Sequence, residues 1–256
     1  MDSTSYLITG ASRSLGLGYT KQLLVSSTNV KVIATARNPD KADALQALAT
    51  AKENEGRVYL LKMDVEDAEG VKAAAQELEE SGFLGETGGL DVLVNNAGVC
   101  EHRPVAPTLV TKEQILDNLG PNLFGVLNVT QAFLPLLRKG KGKKIISVSS
   151  VCGSIGGPYG ENDMNTAYCI SKVALNMYMR KISRELDSCI LANAPELLAP
   201  RPGLVDPGYV QTDMNAGKGN ITIEEATKAA TEKVFLKVTQ KDNGTFTSYS
   251  GEAMPW

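Results

Sequence analysis

The 256-residue chain has very little histidine: His102 is the only one. A Ser-His-Asp mechanism would rest entirely on that residue, and a His-rich metal site cannot be built. Cysteine is sparse too. Cys100, Cys152, Cys169 and Cys189 form no CxxC pair and no zinc-ligand spacing. Isolated thiols fit a reduced intracellular chain better than a disulfide framework, and no metal site is expected. No apolar run approaches the ~18 residues of a membrane helix. The opening MDSTSYLITG lacks the basic and apolar regions of a signal peptide. The expectation is a cytoplasmic protein with no membrane partner. A charge excess is missing as well: 26 Lys+Arg against 29 Asp+Glu leave a net charge of −3. That balance argues against nucleic acid as a partner, and the basic run 138–144 reads as a solvated loop.

What the chain does contain is an ordinary globular composition, 43% hydrophobic and 21% charged, with length enough for a sizeable core. Short apolar strands are expected at 6–9, 30–35, 58–62, 90–95, 144–149, 203–206 and 244–249. Helical spacing runs through 15–25, 41–51, 71–80, 123–137, 167–186 and 223–238. This alternation predicts an α/β fold: a single Rossmann-type, doubly wound parallel sheet with helices on both faces. No repeat or linker divides the chain, so one domain over 1–256 is expected. Three prolines in 193–202 point to an irregular surface loop before the sixth strand.

The first strand runs into TGASRSLG, residues 9–16, and a helix follows. Gly10 and Gly16 let backbone approach a pyrophosphate, which the helix N-terminus attracts through its open N–H groups and dipole. NAD-preferring sites place an acid at the end of the second strand for the ribose 2′-hydroxyl. Here that place holds Arg37, and Arg13 lies in the glycine-rich loop. Two guanidinium groups with no competing acid suit a 2′-phosphate, so NADP(H) is the expected cofactor. The missing acid also counts against an S-adenosylmethionine site.

Further along, NNAG (95–98) ends the fourth strand, Ser150 follows the fifth, and Tyr168 and Lys172 stand four apart on a helix, hence on one face. A tyrosine is a poor acid/base near neutrality unless an adjacent ammonium and a positive nicotinamide favour its phenolate. So placed, Tyr168 can pass a proton to or from a carbonyl oxygen, and Ser150 can hydrogen-bond the same oxygen. Nothing ties His102 to Ser150, which argues against a serine nucleophile.

TGASRSLG, NNAG, Asn122 in PNLFG, Ser150 in SSVCG, Tyr168-xxx-Lys172 and DPGYVQTDM occur in order over essentially the whole chain. On these motifs the sequence resembles the short-chain dehydrogenase/reductase family. With ISKVALN after Tyr168 and the ending NGTFTSYSGEAMPW, it looks like the subgroup of sniffer-type carbonyl reductases and norsolorinic-acid ketoreductase-like enzymes. The resemblance implies reduction of a small-molecule ketone or aldehyde, or the reverse alcohol oxidation, by an Asn122–Ser150–Tyr168–Lys172 set. It implies that Lys172 also holds the nicotinamide ribose and that Asn122 anchors a relay water. It places Gly10, Ser12, Arg13, Ser14, Leu15, Gly16, Arg37, Asp64, Val65, Asn96, Ala97, Gly98, Tyr168, Lys172, Pro207, Gly208, Val210 and Thr212 at the cofactor. Within that set Asp64 is implied to contact adenine and Thr212 the carboxamide. Asn95 is implied to support the adenosine side or the sheet. A homodimer or homotetramer is the family's usual assembly.

The match departs from the pattern in four places. Ser14 replaces the middle glycine of the loop. Gly120–Pro121 precedes Asn122, where proline should kink or restart the helix. Ser150 and Tyr168 are widely spaced, so the residues around 157–165 are expected to loop over the site. The proline-rich 193–202 looks like an insertion. The Gly-Pro disruption favours an alternative, a catalytically idle NADP(H)-binding regulator or redox sensor. The segment after Thr212 is expected to form a substrate lid.

Overall fold

The computed structural model describes residues 3–101, 105–157, 165–191 and 201–256. In chain order its elements are β1 (Thr4–Ile8), α1 (Ser14–Ser26), β2 (Val30–Ala36), α2 (Asp43–Thr50), β3 (Val58–Lys62), α3 (Ala68–Glu80) and β4 (Val92–Asn95). There follow α4 (Lys112–Leu119), α5 (Gly125–Lys139), β5 (Lys144–Val148), α6 (Thr166–Leu191), β6 (Arg201–Asp206), α7 (Ile223–Ala230) and β7 (Phe246–Ser248). The seven strands make one wholly parallel sheet in the order β3-β2-β1-β4-β5-β6-β7. The winding reverses between β1 and β4, the switch point at which open α/β sheets bind ligands outside the carboxyl ends of their strands.

Alternation along the strands explains the two layers. Leu7, Ile33, Leu93, Ile145 and Leu204 turn to one face and meet Leu78 of α3, Phe133 of α5, and Leu175 and Met179 of α6. Their chain neighbours Ile8, Val32, Val94, Ile146 and Val205 turn to the other and meet Tyr19 and Leu23 of α1 and Ala230 at the end of α7. With both faces covered, the strands read as near-continuous apolar runs.

Three local features depart from expectation. Helix α4 falls in a stretch with no strong apolar period; Thr111 and Gln114 close a capping box that starts it. After α4 the chain passes through a π-helical turn, Gly120–Phe124, in which the Gly125 N–H bonds the Gly120 carbonyl. The wider turn absorbs Pro121, which has no N–H to give, and delivers the chain into α5 without a break. In the basic run, Gly140 has no room for a Cβ because the Leu90 carbonyl lies 1.9 Å from where it would sit. Buried Asp91 takes the N–H groups of Lys141 and Gly142, each at 2.8 Å, on one carboxylate oxygen. This loop is clamped to the sheet by its backbone.

The irregular segment expected at 193–202 is corrected at its end. Arg201 and Pro202 belong to β6, in register with Lys144 and Ile145 of β5. Pairing of β6 with β7 begins only at Leu204, so proline sits where that side of the strand has no partner. Residues 193–200 lie outside the described residues, as do His102 and 158–164 of the expected site loop. Among the described residues no helix is long and apolar enough to cross a membrane.

Candidate active site

Every motif falls at the carboxyl edge of the sheet. Thr9 and Gly10 follow β1, Arg37 follows β2, Asp64 follows β3, and Asn96, Ala97 and Gly98 follow β4. Ser149 and Ser150 follow β5, and Pro207 and Gly208 follow β6.

The glycine-rich loop is held by Thr9, whose hydroxyl accepts from the N–H groups of Asn96 and Ala97, both at 2.9 Å. Asn96 answers by donating its amide to the Thr9 carbonyl at 2.8 Å. A Cβ on Gly16 would stand 2.2 Å from the Gly10 carbonyl oxygen. Gly10 has φ +66 and lies against Ala97. These glycines are needed because loop, helix and NNAG backbone meet closely. Ser12 and Leu15 flank them and are half-buried.

The start of α1 is unlike those of α3, α4 and α7, which have side-chain caps. Arg13, its N-cap, supplies no side-chain cap, and the first turn carries no acid. The open N–H groups and positive dipole end suit a phosphate anion. The residues therefore fit a dinucleotide. Arg13 and Arg37 are both exposed, and the Arg13 guanidinium bonds Asp213 at 3.0 Å. That exposed pair is weak.

Ser14, in the place of the missing glycine, adopts φ +50, in the left-handed region. Holding a non-glycine residue there costs about 1 kcal/mol. Ser14→Gly is therefore expected to raise stability by about that amount, read as a higher midpoint in urea unfolding; an unchanged or lower midpoint would show that Ser14 is not strained.

Asp64 accepts the Glu66 N–H and stays half-buried. The Val65 carbonyl takes the side-chain amide of Asn128, and Gly125 packs against the Val65 side chain. Asn95 belongs to the sheet: it is buried, and its amide reaches Thr130 and Ser147, both at 3.3 Å. Gly208, φ +83, donates its N–H to Asp206, and Val210 is buried and bridged to Ile221. Thr212 caps a short helical turn, Asp213–Asn215.

Four elements converge on Tyr168 and Lys172. The Lys172 ammonium is buried, bonds the Val148 carbonyl at 2.9 Å and lies 5.7 Å from the centre of the Tyr168 ring. Burial pulls its pKa down to about 8 despite nearby Cys100, Cys152 and Asp206. Burial likewise pushes the Tyr168 phenol well above its usual range, helped by Cys152 and Cys100 and opposed by a hydrogen bond with Ser150. The lowering of the Tyr168 phenol expected from Lys172 is therefore corrected: without the positive nicotinamide, burial dominates and the group stays a phenol beside the Ser150 hydroxyl. Asn122 is fully buried in the π turn. Its side-chain oxygen accepts the Val99 N–H, and its amide donates to the Val99 carbonyl and to Ser171 Oγ, all at 2.9 Å. Ser171 in turn bonds the Tyr168 carbonyl at 2.7 Å. A Cβ on Gly98 would stand 2.7 Å from Asn122 Oδ1. Asn122 therefore ties the NNAG loop to α6.

Asp206 was not singled out from the sequence. It is buried, accepts the Val151 N–H at 2.8 Å and the Gly208 N–H at 3.2 Å, and so joins the Ser150 turn to the turn that carries Val210 and Thr212. Desolvation raises its pKa, while those two N–H groups and Lys172 oppose the rise. Its place in DPG was the available signal.

A switch-point crevice, an open helix N-terminus and a Ser–Tyr–Lys cluster fit an oxidoreductase of the doubly wound dinucleotide class. A family model described as short chain dehydrogenase matches residues 5–222, and the chain belongs to that family. An uncharacterized oxidoreductase of Schizosaccharomyces pombe is 30% identical over 263 residues, covering 98% of this chain and 97% of the relative. Among solved structures, the carbonyl reductase Sniffer of D. melanogaster superposes with a TM-score of 0.84 at 29% identity, covering 100% of both chains. An NADPH-bound carbonyl reductase from chicken fatty liver gives 0.85 at 29% identity, again covering 100% of both.

Proposed function

We propose that the chain, as one domain, is an NADP(H)-dependent reductase of ketone or aldehyde carbonyls, with Tyr168 as proton donor. The observation that carries this reading is the placing of Tyr168 next to Ser150 and 5.7 Å from the buried Lys172 ammonium, at the carboxyl edge of the sheet. The Sniffer and chicken carbonyl reductases support the substrate class, and the NADPH in the chicken protein supports the cofactor.

In this reading a reduced nicotinamide, when bound, would supply the hydride for the carbonyl carbon. Tyr168 gives its proton to the carbonyl oxygen while Ser150 hydrogen-bonds that oxygen and stabilises its growing charge. The Lys172 ammonium offsets the phenolate left behind. Asn122 acts by position, since both its amide hydrogens are spent on Val99 and Ser171. Gly10, Ser12, Ser14, Leu15 and Gly16 would cradle the pyrophosphate, and Arg13 and Arg37 the 2′-phosphate. Asp64 and Val65 would border adenine, and Asn96, Ala97 and Gly98 the riboses. Pro207, Gly208, Val210 and Thr212 would shape the carboxamide end. The idle-regulator alternative drew on Gly120–Pro121, and the π turn accommodates that pair with Asn122 intact.

The reading is tested by following NADPH oxidation across a panel of ketones, aldehydes and quinones; tight NADPH binding with no turnover would return the argument to the regulator. The cofactor assignment has its own test. Loss of a charge-assisted bond to phosphate is worth roughly 1.5–3 kcal/mol, so Arg37→Ala is expected to raise the KM for NADPH about tenfold to a hundredfold. The KM for NADH should hardly move. Equal changes for both cofactors would remove Arg37 from the 2′-phosphate.

A further inference from the structure

The mechanism leaves Cys100, Cys152 and Cys169 unused, yet Cys100 and Cys152 both act electrostatically on Tyr168 and on Lys172. All three are reduced and half-buried. Cys152 lies in the one-turn helix Val151–Gly153 after β5, two residues past Ser150, and its N–H bonds the Ser150 hydroxyl at 3.2 Å. Cys169 follows Tyr168 in the first turn of α6. The turn that carries Cys152 packs on α6 one turn beyond Cys169: a Cβ on Gly153 would stand 3.0 Å from Lys172, and Asn176 donates to the Gly153 carbonyl at 2.9 Å, so two separate segments bring the thiols into interaction.

We propose that Cys152 and Cys169 form a peroxide-oxidisable dithiol whose disulfide closes the catalytic site reversibly. The two thiols differ in a way that assigns their order. The Cys169 S–H donates to the Cys152 sulfur, which favours thiolate at Cys152 first of all; the Ser150 hydroxyl and the Lys172 ammonium add to this. The same bond holds Cys169 as a thiol. A thiolate is the form that attacks peroxide. As the Cys152 sulfur attacks, an S–O bond forms and the peroxide O–O bond breaks; the hydroxide released takes a proton and leaves as water. Cys152 is then a sulfenic acid, and the negative sulfur that kept Cys169 protonated is gone. Cys169 sulfur attacks it, forming the S–S bond and breaking S–O, and its proton leaves with the hydroxyl as a second water. Two electrons pass from the thiols to one peroxide, and a thiol reductant reverses the change.

The disulfide must draw the sulfurs to about 2.05 Å. That pulls together the backbone of residues two from Ser150 and one from Tyr168, whose hydroxyls must share one carbonyl oxygen. The closure rests on the reductase reading, but the cross-link does not. The NADPH-loaded protein is treated with a small excess of hydrogen peroxide, alkylated, digested without reduction and mapped by mass. The expected product links the Cys152 and Cys169 peptides with loss of two hydrogens, and turnover falls about tenfold or more and returns with dithiothreitol. Cys169→Ser is expected to stop at a sulfenic acid that dimedone traps on Cys152, whereas Cys152→Ser keeps its own untreated rate. A link through Cys100, or no link at all, overturns the pair. A Cys152–Cys169 link with unchanged turnover overturns the closure. A protein without turnover from the start fails the reductase reading and still reports on the link.

Discussion

Tyr168→Phe is expected to lower kcat for carbonyl reduction by about 100- to 10,000-fold, the range that a positioned proton donor contributes. The substitution removes one oxygen and leaves the ring, so Lys172 keeps its place over it. What disappears is the proton and the partner of the Ser150 hydroxyl. Folding should change little, since a lost hydrogen bond of this kind is worth about 1 kcal/mol. NADPH affinity, read by fluorescence titration, should stay within about threefold, which separates a chemical defect from a binding one. Full turnover in the variant would sink the mechanism, because the proton donor it assigns to the carbonyl would be gone. Ser150→Ala gives the complementary comparison: it leaves the phenol but not the second donor to the oxyanion, and on its own it should cost less than the tyrosine.

The strands were legible because both faces of the sheet are buried. Runs such as Val30–Ala36 are mostly apolar, and most of them end in a loop punctuated by glycine or asparagine. The cofactor loop was legible for a related reason, since glycine spacing reports close backbone approach, although the 2.2 Å conflict awaiting a Cβ on Gly16 needs three dimensions. Helix α4 was not legible. Its eight residues, KEQILDNL, have too few apolar positions to set a period, and the glycine and proline that follow suggested an ending. The π turn is a matter of hydrogen-bond register, which propensity does not encode. Least legible was the neighbourhood of Lys172. Val148 ends β5, Asp206 ends β6, and Cys100 and Cys152 lie in the segments after β4 and β5; only the parallel winding brings them to one place. Sequence can nominate a tyrosine and a lysine four apart; it cannot say that the lysine is buried.

That burial makes Lys172→Met the sharpest test of the site. Turnover should fall at least as far as in Tyr168→Phe, because the departing proton would leave a phenolate with no compensating charge. Stability should move the other way from what deletion of a buried bonded side chain usually gives. In the folded protein the Lys172 pKa stands at about 8 against an ordinary 10.5, a folding penalty of about 3 kcal/mol at neutral pH. The sign follows from proton counts. Below pH 8 both folded and unfolded chains hold the proton, and the penalty is complete. Between 8 and 10.5 only the unfolded chain binds it, so stability climbs with pH; above 10.5 the penalty is gone. Methionine is uncharged throughout and fills a similar volume. It leaves the Val148 carbonyl unpaired, at about 1–3 kcal/mol, so the cofactor-free variant should be at least as stable as the parent at pH 7. Its stability should also lack the parent's rise across the alkaline window. Urea unfolding at several pH values reads both quantities. A variant that is several kcal/mol less stable at pH 7 and still climbs through pH 8 to 10.5 would show that Lys172 is held as a structural cation. The parent's reduction rate should fall as pH rises through about 8, where the ammonium that balances the phenolate is lost.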